Sequence, residues 1–123
     1  MKVTEIAFSA YSVTDMARAT AFYEEVLGLK PASVFGPDDG YKWVEYELGP
    51  HTLAITNMSP DWKPSPNGGG VALEVEDFDA AIKWLKDKGV VFYAEPFASP
   101  VCRMALISDP DGNSICIHKR NAG

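Results

Sequence analysis

Two stretches decide the fold of this chain: FSAYSVTDMARATAFYEEVLG, residues 8–28, and GVALEVEDFDAAIKWLKDKG, residues 70–89. In each, a strand-like run ends in Val-x-Asp, at Val13 and Asp15 and again at Val75 and Asp77. An apolar residue follows (Met16, Phe78), then an alanine (Ala19, Ala81), an aromatic (Phe22, Trp84) and a closing glycine (Gly28, Gly89). The offset is 62 residues from Val13 to Val75 and is the same from Phe22 to Trp84. A repeat of this length means that one supersecondary unit is used twice.

Each copy begins as strand then helix. Asp15 and Asp77 suit helix N-caps, where a carboxylate accepts from the first free amide groups and complements the dipole. Met16, Ala19, Tyr23 and Val26 form one helical stripe, as do Phe78, Ala81, Ile82 and Leu85. Gly28 and Gly89 supply the left-handed stop. Three strands follow each helix. In the first copy, PASVFG meets YKWVEYEL across PDDG, and that strand meets TLAITN across GPH. In the second, VVFYAE leads to VCRMALIS, which meets NSICIH across DPDG. These turns are rich in the residues that favour reversals. The fold class is α+β, with two tandem βαβββ modules. Module one spans 3–58, module two spans 70–119, and the whole of 1–123 is read as a single domain. Between the modules MSPDWKPSPNGG, with three prolines and two glycines, reads as a linker over 58–69.

Composition bounds the setting. The chain has 123 residues, is 46% hydrophobic and carries a net charge of −6. No apolar run approaches the roughly 20 residues of a membrane span. The start, MKVTEIAFSA, lacks the long apolar stretch of a secretory signal. A cytoplasmic protein with no membrane contact is expected, its two cysteines free thiols. The acidic balance argues against nucleic acid, which needs a basic footprint, and mildly favours neutral or cationic partners.

Alternation assigns the sheet faces. Leu53 and Ile55, Val71, Leu73 and Val75, Ile115 and Ile117, Cys102, Met104 and Leu106, and Val44, Tyr46 and Leu48 form the apolar sets expected under the helices. The opposite face then carries small residues (Ala54, Gly70, Ala72, Ala105, Ser114) and a few polar ones (Glu45, Glu74, Arg103, His118). Small side chains with scattered charges describe an open, curved ligand cleft.

VTDMARATAFYEEVLGL and ISDPDGNSICI, each at its place in a βαβββ unit, resemble the vicinal oxygen chelate superfamily. This group holds glyoxalase I, bleomycin-resistance proteins, fosfomycin-resistance proteins and extradiol dioxygenases. The resemblance runs from about Val3 to Lys119. It implies that each module curves its sheet into half of an open barrel, with the site inside. Metalloenzymes of the family hold a divalent metal through inward His, Gln or Glu side chains on the first, fourth, fifth and eighth strands. Here those positions fall on Phe8, Ala54, Gly70 and Cys116. A phenyl ring, a methyl group and a hydrogen do not coordinate metal, and a protein site takes about three or four ligands. No cofactor is therefore expected. The resemblance implies a metal-free small-molecule binder of the bleomycin-resistance kind, often a homodimer.

The expected ligand contacts are Phe8, Trp43, Glu45, Ala54, Glu74, Arg103, Cys116 and His118, with a cationic or aromatic ligand. Trp43 offers a stacking surface or half-buried packing. Glu45 and Glu74 are candidates to meet a cation, or Arg103. Arg103 is expected opposite His118, within reach of the Cys116 thiol. His118 reads as a ligand, a base or a strand-end residue near solvent. Cys116 is expected opposite about Ala105, with Cys102 facing the other way and no disulfide. His51 is expected exposed. The alternative is an enzyme: a glyoxalase I-like lyase or an extradiol dioxygenase with displaced metal ligands, or an isomerase using Glu74, His118 or Cys116 as base. No catalytic residue is assigned.

Overall fold

The computed structural model describes residues 1–2, 4–37 and 40–122. It divides into two compact units, Met1–Pro64 and Ser65–Gly123. The first unit comprises strand β1 (Ser9–Ser12), helix α1 (Met16–Thr20) running into a π-helical stretch (Ala21–Val26), then β2 (Pro31–Phe35), β3 (Trp43–Leu48) and β4 (His51–Thr56). The second comprises β5 (Val71–Glu74), α2 (Phe78–Asp87), β6 (Phe92–Ala98), β7 (Cys102–Ser108) and β8 (Ser114–Arg120). Both sheets are mixed and four-stranded, in the order β1-β4-β3-β2 and β5-β8-β7-β6. The two βαβββ modules expected from the repeat are thus present. The PDDG turn includes Asp38 and Asp39, which lie outside the described residues.

The repeat extends to individual backbone angles. Asp15 and Asp77 cap their helices at φ −125° and −127°, with ψ 104° at both. Their Oδ1 atoms accept from Arg18 N and Ala80 N, each at 3.0 Å. Gly28 and Gly89 end the helical segments at φ +75° and +73°, a conformation that strains any side chain with a Cβ. Val13 N donates to Thr56 O at 2.8 Å, and Val75 N donates to His118 O at 2.9 Å. Those two bonds are also 62 residues apart at both ends.

The helices are not copies. α2 is regular, whereas the first helix widens after Thr20. There Leu27 N bonds Phe22 O, five residues back. The Thr20 hydroxyl donates to the Met16 and Ala17 carbonyls at 2.9 and 3.1 Å, the back-bonding that bends helices. Phe22 and Tyr23 in this wide stretch are buried. Tyr23 stacks on Tyr46 with ring centroids 6.1 Å apart, and Phe22 meets Tyr23 edge-on at 5.4 Å. This aromatic column joins helix to sheet on the face that carries Tyr11, Val44, Leu53 and Ile55, all buried. In the second unit Phe78 and Leu85 of α2 pack toward the face of Ile115 and Ile117, where all four are buried. Each fully buried Ile adds about 2–3 kcal/mol of apolar transfer.

The seventh strand corrects the expected pattern. Ala105 pairs with Ile117 and Ile107 with Ile115. Directly paired residues share a face, so Ala105 and Ile107, both 0% exposed, lie on the helix side. Cys102, Met104 and Leu106 take the helix-free side with His118 and Cys116, the reverse of the expectation, so Cys102 does not face away from Cys116. Cys116 stands opposite Leu106, one residue from the expected Ala105, and a one-residue slip exchanges the two faces of a strand. The register is set by the 109–113 loop. There Asp109 Oδ1 accepts from Asp111 N at 2.9 Å and Asn113 N at 2.8 Å, and Asp109 Oδ2 accepts from Asn113 Nδ2 at 2.9 Å.

Among the described residues no helix is long and apolar enough to cross a membrane.

Candidate functional site

Each sheet is covered by its helix on one face, and the other face gathers most of the candidate residues. In the first unit, β1 pairs Ala10 with Ala54 and Ser12 with Thr56, and β3 pairs Trp43 with Thr56 and Glu45 with Ala54. All of these share the helix-free face. Ala54 is fully buried at its centre. The Phe8 ring meets Trp43 edge-on at 5.0 Å, which places Phe8 here too. Phe35 pairs with Trp43 from β2 and brings a third ring to the face. Phe8 is 47% and Phe35 55% exposed. Edge-to-face rings offer a further aromatic both a face and an edge to meet. Trp43 Nε1 donates to Glu45 Oε2 at 2.9 Å, so the one carboxylate beside Ala54 is held by the indole. At the far end Ser12 Oγ donates to Trp62 O, and Thr56 Oγ1 donates to Lys42 O at 2.8 Å while accepting from Met58 N at 3.1 Å. That end of the face is closed by chain 58–62.

The second unit's helix-free face carries Ala72 and Glu74 of β5, Cys116 and His118 of β8, Met104 and Leu106 of β7, and Ala94 and Phe97 of β6. Glu74 Oε1 lies 2.6 Å from His118 Nδ1, and Glu74 Oε2 accepts from Arg120 N at 2.8 Å. The Arg120 amide, and after it His118, hold the Glu74 carboxyl below its usual range. Cys116 is half-buried, and burial pushes its thiol up, with the Cys102 thiol adding to the effect. A thiol biased toward its protonated form is a poor nucleophile and a poor metal ligand. Both cysteines are free.

Arg103 does not join this group. It pairs with Lys119, not His118. Its guanidinium donates to Asp79 Oδ1 at 2.7 Å and lies 4.5 Å from the Phe78 ring centroid, both on α2. The register that places Ala105 under the helix carries Arg103 to the same side, where it holds the Asp79 carboxyl below its ordinary value. The Arg103–Cys116 contact is thereby corrected, and Glu74 takes His118 as its partner instead. His51 is exposed, as expected.

Phe35 and Phe97 are the side chains that alternation missed. They occupy matching places, since Phe35 pairs with Trp43 and Phe97 pairs with Met104. Both lie on strands whose register shifts at a bulge, and a bulge breaks the period of two that exposes a face to counting. A groove of about 520 Å³ on the helix side of the first unit, lined by Met16, Thr20, Glu24, Val34 and Lys42 among others, had no signal in the sequence. At its edge the buried Tyr46 hydroxyl donates to Glu24 Oε2 at 2.9 Å. Burial first, then that carboxylate, holds the Tyr46 phenol well above its ordinary value.

The fold family implies a divalent metal, and the residues present do not fit one. At the positions where the sequence resemblance would put metal ligands, Phe8 is engaged with the Trp43 ring, Ala54 carries only a methyl group, Gly70 has no side chain, and Cys116 is shielded. Among the described residues no group of three or more His, Cys, Asp or Glu side chains is placed to hold a metal ion.

Two sheets of order 1-4-3-2 and 5-8-7-6 with capped helices at the same offset define a paired βαβββ protein. Residues 5–117 match the model of the Glyoxalase/Bleomycin resistance protein/Dioxygenase superfamily, and the chain belongs to that family. Among solved structures it is similar to TnmS3, an antibiotic binding protein from Streptomyces sp. CB03234, at 26% identity and a TM-score of 0.81, covering 98% of this chain and 99% of that one. It is also similar to a superfamily member from Sphaerobacter thermophilus DSM 20745, at 26% identity, 95% and 98% coverage and a TM-score of 0.75. A glyoxalase/bleomycin resistance protein from Streptomyces sp. CB03234 matches at 27% identity, 93% and 99% coverage and a TM-score of 0.69. No curated protein matches the chain.

Proposed function

We propose that this protein binds a small molecule with an aromatic body and does so without a metal. The observation that carries this reading is the edge-to-face pair of Phe8 and Trp43. It stands where a metalloenzyme of the family begins its ligand set, on a face that leaves Phe8 and Phe35 about half exposed. Stacking on such rings is worth about 0.5–1.5 kcal/mol beyond area burial. Glu45 is positioned to favour a ligand with a cationic group at the rim. The antibiotic-binding relative at 26% identity supports a ligand of drug-like character. The family resemblance supports a cytoplasmic homodimer as the working form, with the two modules forming a single domain.

The test is a titration of the purified protein with a panel of planar aromatics, cationic and neutral, read by tryptophan fluorescence and thermal shift. At least one class should quench fluorescence and raise Tm in the wild type, and Trp43→Ala should weaken it about tenfold. A panel inert at millimolar concentration would overturn the reading. Elemental analysis is the second arm: one tightly held divalent metal per chain, lost on Cys116→Ala, would restore the metalloenzyme alternative.

A further inference from the structure

We propose that Glu74 and His118 form a hydrogen-bond-accepting subsite that selects ligands bearing a hydroxyl group on their aromatic body; the proposal rests on the small-molecule-binding reading above. Both oxygens of Glu74 are engaged, Oε2 by the Arg120 N–H and Oε1 by His118 Nδ1. A carboxylate only accepts, so the proton between Oε1 and Nδ1 sits on the imidazole. In the neutral form of the imidazole the lone pair is then on Nε2, since the bond at one ring nitrogen fixes the state of the other. Among the described residues nothing is hydrogen-bonded to Nε2.

The surroundings narrow the ligand class. On the same face Met104 pairs with His118 and Leu106 with Cys116, while Phe97 and Ala94 extend the apolar surface from β6. An apolar body fits there. Glu74 already places a negative charge on this face, so an anionic ligand would meet a like charge. A neutral O–H donor satisfies Nε2 and adds no charge. The matching positions of the first unit behave differently. Ser12 and Thr56, 62 residues before Glu74 and His118, bond to the carbonyls of Trp62 and Lys42. There the pair is spent on holding the chain, whereas in the second unit the same two backbone positions present a carboxylate–imidazole pair on a part-exposed face.

The experiment compares 2-naphthol with 2-methoxynaphthalene, which differ in the donor, by calorimetric titration at pH 8. The wild type should prefer the naphthol about tenfold, the factor one well-made hydrogen bond supplies. His118→Phe keeps an aromatic ring without the acceptor and should bring the preference within about twofold. Glu74→Gln can donate as well as accept, so it no longer fixes the imidazole proton and should give an intermediate preference. Nitrogen-15 NMR of the free wild type should show the His118 proton on Nδ1, and Glu74→Gln should lower that population. Equal binding of both probes by the wild type would overturn this proposal and leave the aromatic-binding reading standing. Failure of both probes to bind would remove both readings. A His118 proton found on Nε2 would overturn the subsite whatever the affinities.

Discussion

Replacing Asp109 by alanine tests whether the 109–113 loop is what fixes the second sheet. Asp109 and Asn113 are each 3% exposed. The Asp109 carboxylate accepts two backbone N–H groups and one side-chain amide within 2.8–2.9 Å. Alanine leaves these donors in a site that water enters poorly. Each bond to a carboxylate is worth about 1.5–3 kcal/mol. The bonds share one acceptor group and do not add fully, so the expected loss is about 3 kcal/mol. With a slope of roughly 1.5 kcal/mol per molar urea, the denaturation midpoint should fall by about 2 M. Asp109→Asn keeps Oδ1 for the two backbone amides and sets one amide nitrogen against another; it should lose about 1 kcal/mol. Asp61→Ala, exposed and outside the loop, should stay within about 0.5 kcal/mol. A shift below roughly 0.5 M for Asp109→Ala, or equal damage from Asp109→Asn, would refute the reasoning.

Asp15→Ala and Asp77→Ala should each destabilise by about 1 kcal/mol in thermal or urea unfolding, and Asn at either position should restore most of it. The Arg120 amide and His118 hold the Glu74 carboxyl below its ordinary value of about 4.5, so its pairing stabilises the protein above about pH 4.5 and the contribution is lost as pH falls through the lower folded value. The stability difference between wild type and Glu74→Gln should therefore shrink as pH falls below about 4, and a difference that grows over that range would contradict the sign. Cys116 has a raised pKa, so its reaction with Ellman's reagent should be slow at pH 7.5 and accelerate with added base beyond pH 9. A fast phase at neutral pH, lost in Cys116→Ala, would show an activated thiol instead.

The duplication, both helix caps and the βαβββ sequence of elements were legible because they depend on local chemistry: a carboxylate at Asp15 or Asp77, a glycine at 28 or 89, and the Val-x-Asp motif repeated at an offset of 62. The face of β7 was not. Cys102, Met104 and Leu106 on one side and Ala105 and Ile107 on the other are both apolar sets, so period alone could not choose between them. The choice was made by how many residues the Asp109–Asn113 clasp takes out of the hairpin, and Arg103 followed that choice to the helix side. Glu74 and His118 were each visible as candidates. Their pairing came from the parallel register of β5 and β8, two strands 44 residues apart at that point. Phe35 and Phe97 were hidden by bulges.

The shared offset gives this chain a matched control inside itself. Asp15 and Asp77 perform one task on nearly identical backbones, as do Gly28 and Gly89 one residue out of step, while Ser12 with Thr56 and Glu74 with His118 perform different tasks on equivalent ones. A substitution made on both sides of the offset separates what the backbone demands from what the neighbourhood adds. Where the two effects agree, the position belongs to the architecture. Where they diverge, selection has treated the two halves differently, and that divergence maps specialisation without any second protein for comparison.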